Sequence, residues 1–264
     1  MAVVRSVMQT GGGDQGELRR FRGEVYDCFT ARADALFELV DGICTPITIG
    51  GVAHVSLAPG ARRGHGAGYA AVSVGRIDTD MVRDVLAAAR PASWLPDFAV
   101  DTTVWMRCDA ECSPQRGFYY HPSRHSAGQP IVAGWCYSWL VALSAGSDSW
   151  TAPLDTRRLL VGDNPNVVAA QQIRQVLPRL GPLPAAALFA FDGGYDPVQL
   201  SVELAGTSVQ IVVRVRNDRK YFTRPAPRAP GQKGASRRHG ARLSCADPQT
   251  WPEPDLRLEV DDEA

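Results

Sequence analysis

The stretch Ala187–Asp196, A-L-F-A-F-D-G-G-Y-D, constrains the fold more than any other part of this sequence. It opens as a short apolar run, Ala187 to Phe191, of the length and composition of a fully buried strand. The run stops on a carboxylate, Asp192, and Gly193-Gly194 then lets the backbone turn sharply. Asp196-Pro197 reads as a helix start, an N-cap acceptor followed by proline at the first helical position. Strand, acid, glycine turn and helix together place Asp192 at the carboxyl end of a buried strand, where open α/β sheets hold their chemistry. A charge there needs a partner. Either a metal ion or the amides of the turn can supply it.

The rest of the chain sets bounds on this reading. Its 264 residues, 45% of them hydrophobic, are enough for one large or two small domains with a real core. Formal net charge is zero, but the charges are segregated. Arg214 to Arg242 holds ten Lys/Arg and one acid, Asp218, whereas Leu243 to Ala264 holds seven acids and one base, Arg257. The blocks cancel in the total but not in space, so the local field can still attract an anionic polymer. No run reaches the ~18 apolar residues of a membrane span, and Gly11-Gly12-Gly13-Asp14 interrupts any signal-peptide core. Six cysteines without a secretion signal suggest reduced thiols in a cytoplasm.

The apolar spacing of Phe21, Val25, Phe29, Ala33, Leu36, Phe37 and Val40 predicts one helix over Glu17–Val40. Ile47–Leu57 reads as a short strand or buried loop, and Pro59–Gly68, carrying Arg62, Arg63 and His65, as a glycine-rich basic loop. That loop lacks the phosphate-cradling G-x-x-x-x-G-K-[ST] pattern. It is either solvated or in contact with a phosphate backbone. Asp78–Arg90 is an amphipathic helix stopped by Pro91. Residues 1–96 therefore form a mainly helical N-terminal region.

Phe98–Val104, F-A-V-D-T-T-V, reads as a strand with an acid, Asp101, inside it. Such local inconsistency tends to mark a functional position, unless Asp101 simply points outward. Arg107–Ala133 is irregular and holds Cys108, Cys112, His121 and His125 in the order C-x3-C-x8-H-x3-H. These are zinc-ligating residue types. The central gap is shorter than the about twelve residues of a zinc finger, which disfavours zinc. Ile131–Ser144 and Ser147–Leu154 read as a hairpin turned at Ala145-Gly146. Asn164-Pro165 starts a helix to about Leu177. Pro197–Leu204 is a further helix and Thr207–Val215 a Val/Ile-rich strand. Tyr221–Arg242, rich in Pro, Gly and basic residues, reads as an exposed loop, and Trp251–Val260 as one more strand.

From Phe98 onward the order is strand, strand, strand, helix, strand, helix, strand. A ribonuclease-H-like α/β (α+β) domain uses this order, with a mixed sheet flanked by helices. There the first and fourth strands lie side by side and parallel, so Asp101 and Asp192 would converge. Two converging carboxylates repel unless a cation sits between them. Hard oxygen donors with open positions suit Mg²⁺ or Mn²⁺, and two such ions clamp a phosphodiester displacement. The organisation expected is residues 1–96 helical with possible DNA contacts, 97–216 an incomplete catalytic core, and 217–264 a basic loop opening a β-rich insertion.

A set of segments carries a resemblance. They are Arg22–Leu39 (R-G-E-V-Y-D-C-F-T-A-R-A-D-A-L-F-E-L), His65–Tyr69 (H-G-A-G-Y), Gly75–Asp78 (G-R-I-D), Val100–Trp105 (V-D-T-T-V-W), Gly134–Ser138 (G-W-C-Y-S), Phe191–Asp196 (F-D-G-G-Y-D) and Val215–Arg219 (V-R-N-D-R). As a set they resemble DDE-type insertion-sequence transposases of an actinobacterial group. The resemblance implies metal-dependent cleavage and strand transfer at transposon ends in DNA. It makes Asp101 and Asp192 the first two catalytic, metal-binding acids, holding two Mg²⁺ or Mn²⁺ ions. The third acid of that family is a glutamate on a later helix. Glu259, Asp261, Asp262 and Glu263 lie on a terminal strand and tail, so none takes that role. The expectation is a C-terminally truncated chain with impaired activity.

The candidate DNA contacts are Arg62, Arg63, Arg214, Arg216, Arg219, Lys220, Arg237 and Arg238, with a solvated basic loop as the alternative for the run. The partners implied are double-stranded DNA, at transposon ends and target, and a second copy of the complete protein. The expected location is the bacterial cytoplasm at the nucleoid. The competing reading is a non-catalytic DNA-binding remnant or regulator.

Overall fold

The computed structural model describes residues 13–45, 50–120, 130–144, 150–228 and 233–253. The N-terminal part is built from helices α1 (Gly13–Asp27), α2 (Ala33–Ile43), α3 (Val52–Val55), α4 (His65–Val74) and α5 (Thr79–Ala89). Two short antiparallel strands, β1 (Phe29–Ala31) and β2 (Arg76–Ile77), tie its ends together. The single helix expected over Glu17–Val40 is thus two helices with a strand between them. Arg32 sits at φ 58, in the left-handed region, and reverses the chain there. No glycine or proline marks the break, and the apolar spacing runs across it because Phe37 packs on both sides, against Tyr26 and Phe29. The Ile47–Leu57 reading is also corrected: Val52–Val55 is a helical turn, and residues 46–49 lie outside the described residues.

The expected loop at Pro59–Gly68 ends earlier than its glycines suggest, because α4 begins at His65. Gly68 is buried there, and a Cβ on it would lie 2.9 Å from Val52 Cγ1. This glycine serves close helix packing. The α5 expectation holds: Asp78 caps the helix by accepting from the Asp80 and Met81 amides.

The second part is a mixed sheet flanked by helices, a ribonuclease-H-like fold. Its strands are β3 (Asp97–Met106), β4 (Gly117–Tyr120), β5 (Ile131–Leu143), β6 (Thr151–Leu159), β7 (Ala187–Phe191) and β8 (Val209–Val213). Strand β5 pairs antiparallel with β3 along one edge, while β4 and β6 share its other edge. Strands β3, β7 and β8 run parallel to one another. Strand β4 is an addition to the expected order, inside a segment read as irregular. The antiparallel pairing of β5 with β6 is as expected, and the turn at Ala145-Gly146 lies outside the described residues.

Helix α6 (Pro165–Val176), capped by Asn164, carries the chain from β6 to β7, and α7 (Pro197–Glu203), capped by Asp196, carries it from β7 to β8. Both helices pack over one sheet face. There Phe98, Val100, Leu140, Phe189, Ile173 and Leu200 are buried in one cluster, and Phe98 stacks on Phe189 at 4.9 Å between ring centroids. Burying side chains of this size contributes about 1.5–3 kcal/mol each. Two buried polar residues join helix to sheet: Ser138 donates to Gln172 Oε1 at 2.6 Å, and Gln172 Nε2 donates back to the Ser138 carbonyl. Helix α5 is fastened to β6 by buried Asp155, which accepts from Arg83 and Arg157.

Beyond β8, strands β9 (Lys220–Phe222) and β10 (Arg242–Ser244) pair antiparallel. The stretch read as an open loop is therefore closed at its base by a short ladder. Residues 251–253 are not strand, and the rest of the strand expected at Trp251–Val260 lies outside the described residues. Among the described residues, no helix is long and apolar enough to cross a membrane.

Candidate active site

Asp101 and Asp192 reach the same place by the same rule. The parallel register of β3 and β7 ends with Val100 opposite Phe191. Each aspartate is the next residue along its strand, so the two side chains leave neighbouring positions on adjacent strands, whose axes are roughly 4.8 Å apart. Both are exposed. Burial alternates along β3, with Phe98 and Val100 in the core and Asp101 on the opposite face. Asp101 thus points outward, and the face it joins is the one toward which Asp192 continues the register.

Each carboxylate is oriented by a backbone amide. The Thr102 N–H donates to Asp101 Oδ1 at 2.6 Å, and the Gly194 N–H donates to Asp192 Oδ1 at 2.9 Å. The turn amide foreseen as a partner for Asp192 is therefore in use, and the residue as a whole is exposed. Partial desolvation raises the Asp101 pKa, the Thr102 amide opposes that rise, and the negative charge of Asp192 adds to it. The electrostatics thus register the proximity of the two acids directly.

Tyr195, from the same Gly-Gly-Tyr-Asp turn, lies buried behind the pair, its ring edge-on to Phe191 at 5.0 Å. Burial pushes its hydroxyl well above the ordinary tyrosine range, and both Asp101 and Asp192 push it the same way. The Ser138 hydroxyl beside it opposes that rise. Cys136 sits near, its thiol raised by burial and by the Asp101 charge. Neither residue stood out in the sequence, because each reads there as an ordinary apolar position of a strand or turn.

The donor set fits a hard divalent cation. Two outward carboxylates present oxygen atoms only, and their solvent-facing sides leave room for the water ligands that Mg²⁺ retains. The repulsion felt by Asp101 is what a bound cation would relieve. Among the described residues, no cluster of three or more His, Cys, Asp and Glu side chains is arranged to hold a metal. Cys108 and Cys112 are both exposed in the loop after β3, and His121 and His125 lie outside the described residues.

The basic candidates divide by place. Arg214 follows the last residue of β8, and its N–H donates to the Phe191 carbonyl at 2.9 Å. A Cβ on Gly193 would lie 3.6 Å from both the Arg214 carbonyl and Arg216 Cγ. The Arg214–Arg216 segment therefore runs beside the Asp192 turn. Arg216 makes a long ion pair with Asp218 at 3.4 Å. Arg219 and Lys220 lead into β9, and Arg237 and Arg238 are exposed before β10. A cleft of about 950 Å³ opens there, with Arg224, Arg228, Lys233, Arg237 and His239 on its walls and no acid among its lining residues. In the helical region Arg62 is exposed, whereas Arg63 spends its guanidinium on Glu38 and Asp34 of α2.

No curated protein matches the chain. The family model for the DDE superfamily endonucleases matches residues 24–264, the helical part and the sheet alike. With nearly the whole sequence covered, the chain belongs to the DDE superfamily endonuclease family.

Proposed function

We propose that this protein is a transposase of the insertion-sequence type, cleaving DNA at the ends of a mobile element and joining the freed ends to a target. Asp101 and Asp192 would hold the divalent ions, and neither forms a covalent bond to the substrate. Mg²⁺ or Mn²⁺ bound there supplies the Lewis acidity that activates the attacking oxygen and steadies the leaving one in a phosphodiester displacement. The Thr102 and Gly194 amides fix the direction of the two carboxylates. Arg214 and Arg216, beside the Asp192 turn, neutralise the phosphates that flank the scissile bond. Arg219, Lys220, Arg237 and Arg238 extend that positive surface, and Arg62 adds a contact from the helical region. The register of β3 with β7, which makes the two acids neighbours, is the single observation that carries this reading.

Nicking of supercoiled plasmid DNA tests it. Weak nicking is expected with Mg²⁺ or Mn²⁺, since two acids only are assigned, and loss of it in Asp101→Ala with DNA retention on a filter unchanged. DNA that binds equally well but is never nicked, at any metal concentration, would favour the non-catalytic DNA-binding alternative.

A further inference from the structure

The sheet face that carries Asp101 is lined with aromatic rings. Along β5 burial alternates strictly: Val132, Cys136, Ser138 and Leu140 point into the core, and Trp135, Tyr137 and Trp139 point the other way. In the antiparallel register Trp139 lies opposite Asp101, Tyr137 opposite Thr103, and Trp135 opposite Trp105. Directly opposed residues share a face, so four rings and the acid occupy one surface. The α6/α7 layer covers the other surface. The face is open: Trp105 is 57% exposed and Trp139 is 39% exposed.

The rings are held in place. Trp105 meets Trp135 edge-on at 6.2 Å, and Tyr137 lies tilted against it at 6.4 Å. Positive charge is built into the same patch, for the Arg158 guanidinium lies 4.8 Å from the centre of the Trp135 ring and that of Arg107 lies 5.7 Å away. Exposed flat rings on rigid strands, bordered by arginine, match what an unpaired polynucleotide requires. Bases stack on such rings whatever their identity, and the cations meet the backbone. Arg107 also pairs with Asp109 at 3.2 Å and Arg158 donates to the Pro114 carbonyl, so both guanidinium groups are fixed beside Trp135. Duplex DNA keeps its bases stacked on one another and cannot use the rings.

We infer that this aromatic face binds single-stranded DNA, stacking unpaired bases on Trp139 and Trp105 and so leading one strand to Asp101. The inference rests on the reading that the acid pair acts on DNA. Trp139 is the cross-strand neighbour of Asp101, and Trp105 stands four residues along β3, about 13 Å at ~3.3 Å per residue. A strand laid along this path separates from its complement before its phosphate reaches the acids. The face thereby selects for DNA ends that fray or are distorted open.

Titration of the full chain with a short oligothymidylate, read by tryptophan fluorescence, tests this. Quenching is expected, and Trp105→Ala and Trp139→Ala should each weaken binding by about fivefold or more. Trp105→Phe and Trp139→Phe, which keep a stacking ring, should restore most of it. Circular dichroism of each variant separates lost stacking from lost folding. No quenching, equal affinity in the alanine variants, or a stable dimer that Trp139→Ala dissociates would overturn the inference. Mn²⁺ binding by the unaltered chain distinguishes the failures. Mn²⁺ bound without oligothymidylate binding overturns the stacking face alone, and neither bound overturns the acid-pair reading with it.

Discussion

Asp101 and Asp192 each stand one residue past the last paired positions, Val100 and Phe191, of two parallel neighbouring strands. Two like charges are thereby placed side by side, one within β3 and one just past the end of β7, and desolvation, with the Asp192 charge, raises the Asp101 pKa.

Neutralising one acid should therefore stabilise the protein in the absence of metal. Asp101→Asn is expected to raise Tm in a chelator. Added Mg²⁺ should raise Tm of the unaltered chain and leave that of the variant nearly unmoved. Differential scanning calorimetry with and without Mg²⁺ checks both.

The pH dependence follows from the direction of the shift. A carboxyl raised in the folded state holds its proton more tightly there than in the unfolded chain. Its contribution to stability is present at low pH and is lost as pH rises from the ordinary carboxylate range, about 4, through the folded value. Without metal, Tm of the unaltered chain should fall relative to that of Asp101→Asn over this window. A constant difference in Tm would contradict the shift.

Gly134 permits the close approach of β5 to its sheet neighbour β3. A Cβ there would lie 2.2 Å from the Trp105 carbonyl oxygen, which is backbone and cannot step aside. Gly134→Ala should cost about 1–3 kcal/mol in urea unfolding. It should also disturb the aromatic face, since Trp105 and Trp135 flank the contact.

Asp155 is the anchor between the helical region and the sheet. Its side chain is 3% exposed and accepts from Arg83 Nε at 2.7 Å and Arg157 Nε at 3.1 Å. Asp155→Ala leaves the Arg157 guanidinium without its counter-ion and Arg83 with exposed Asp80 alone, and should cost about 3–5 kcal/mol. Urea unfolding read by both far-UV circular dichroism and tryptophan fluorescence checks the size and shows whether both parts loosen together.

Replacing Arg214 and Arg216 with Ala should weaken duplex binding at every sequence alike. It should also flatten the slope of log K against log salt by about 0.9 for each phosphate that the variant no longer neutralises. A change in affinity with an unchanged slope would mean that these side chains do not meet phosphates.

Much of this was legible in the sequence, for definite reasons. The Phe-Asp-Gly-Gly-Tyr-Asp-Pro stretch spelled out strand, acid, turn and capped helix, because each transition there has its own local chemistry. Asp101 stood out because a charge interrupted a β-branched run. The break in the first helix was not legible, since Arg32 adopts a left-handed conformation that nothing in its neighbourhood announces. The helix at His65 was hidden by glycines, of which Gly68 serves packing against Val52. The outward row Trp135, Tyr137, Trp139 was readable only as apolar content. Its place beside Asp101 is set by a long-range register that no local pattern encodes.

The central claim is that the two aspartates share a cation, and Mn²⁺ titration followed by electron paramagnetic resonance tests it most directly. The account predicts saturable Mn²⁺ binding that Mg²⁺ displaces, weakened at least tenfold by Asp101→Asn and by Asp192→Asn, with the double variant weaker still. Mn²⁺ bound with undiminished affinity after either substitution would contradict it.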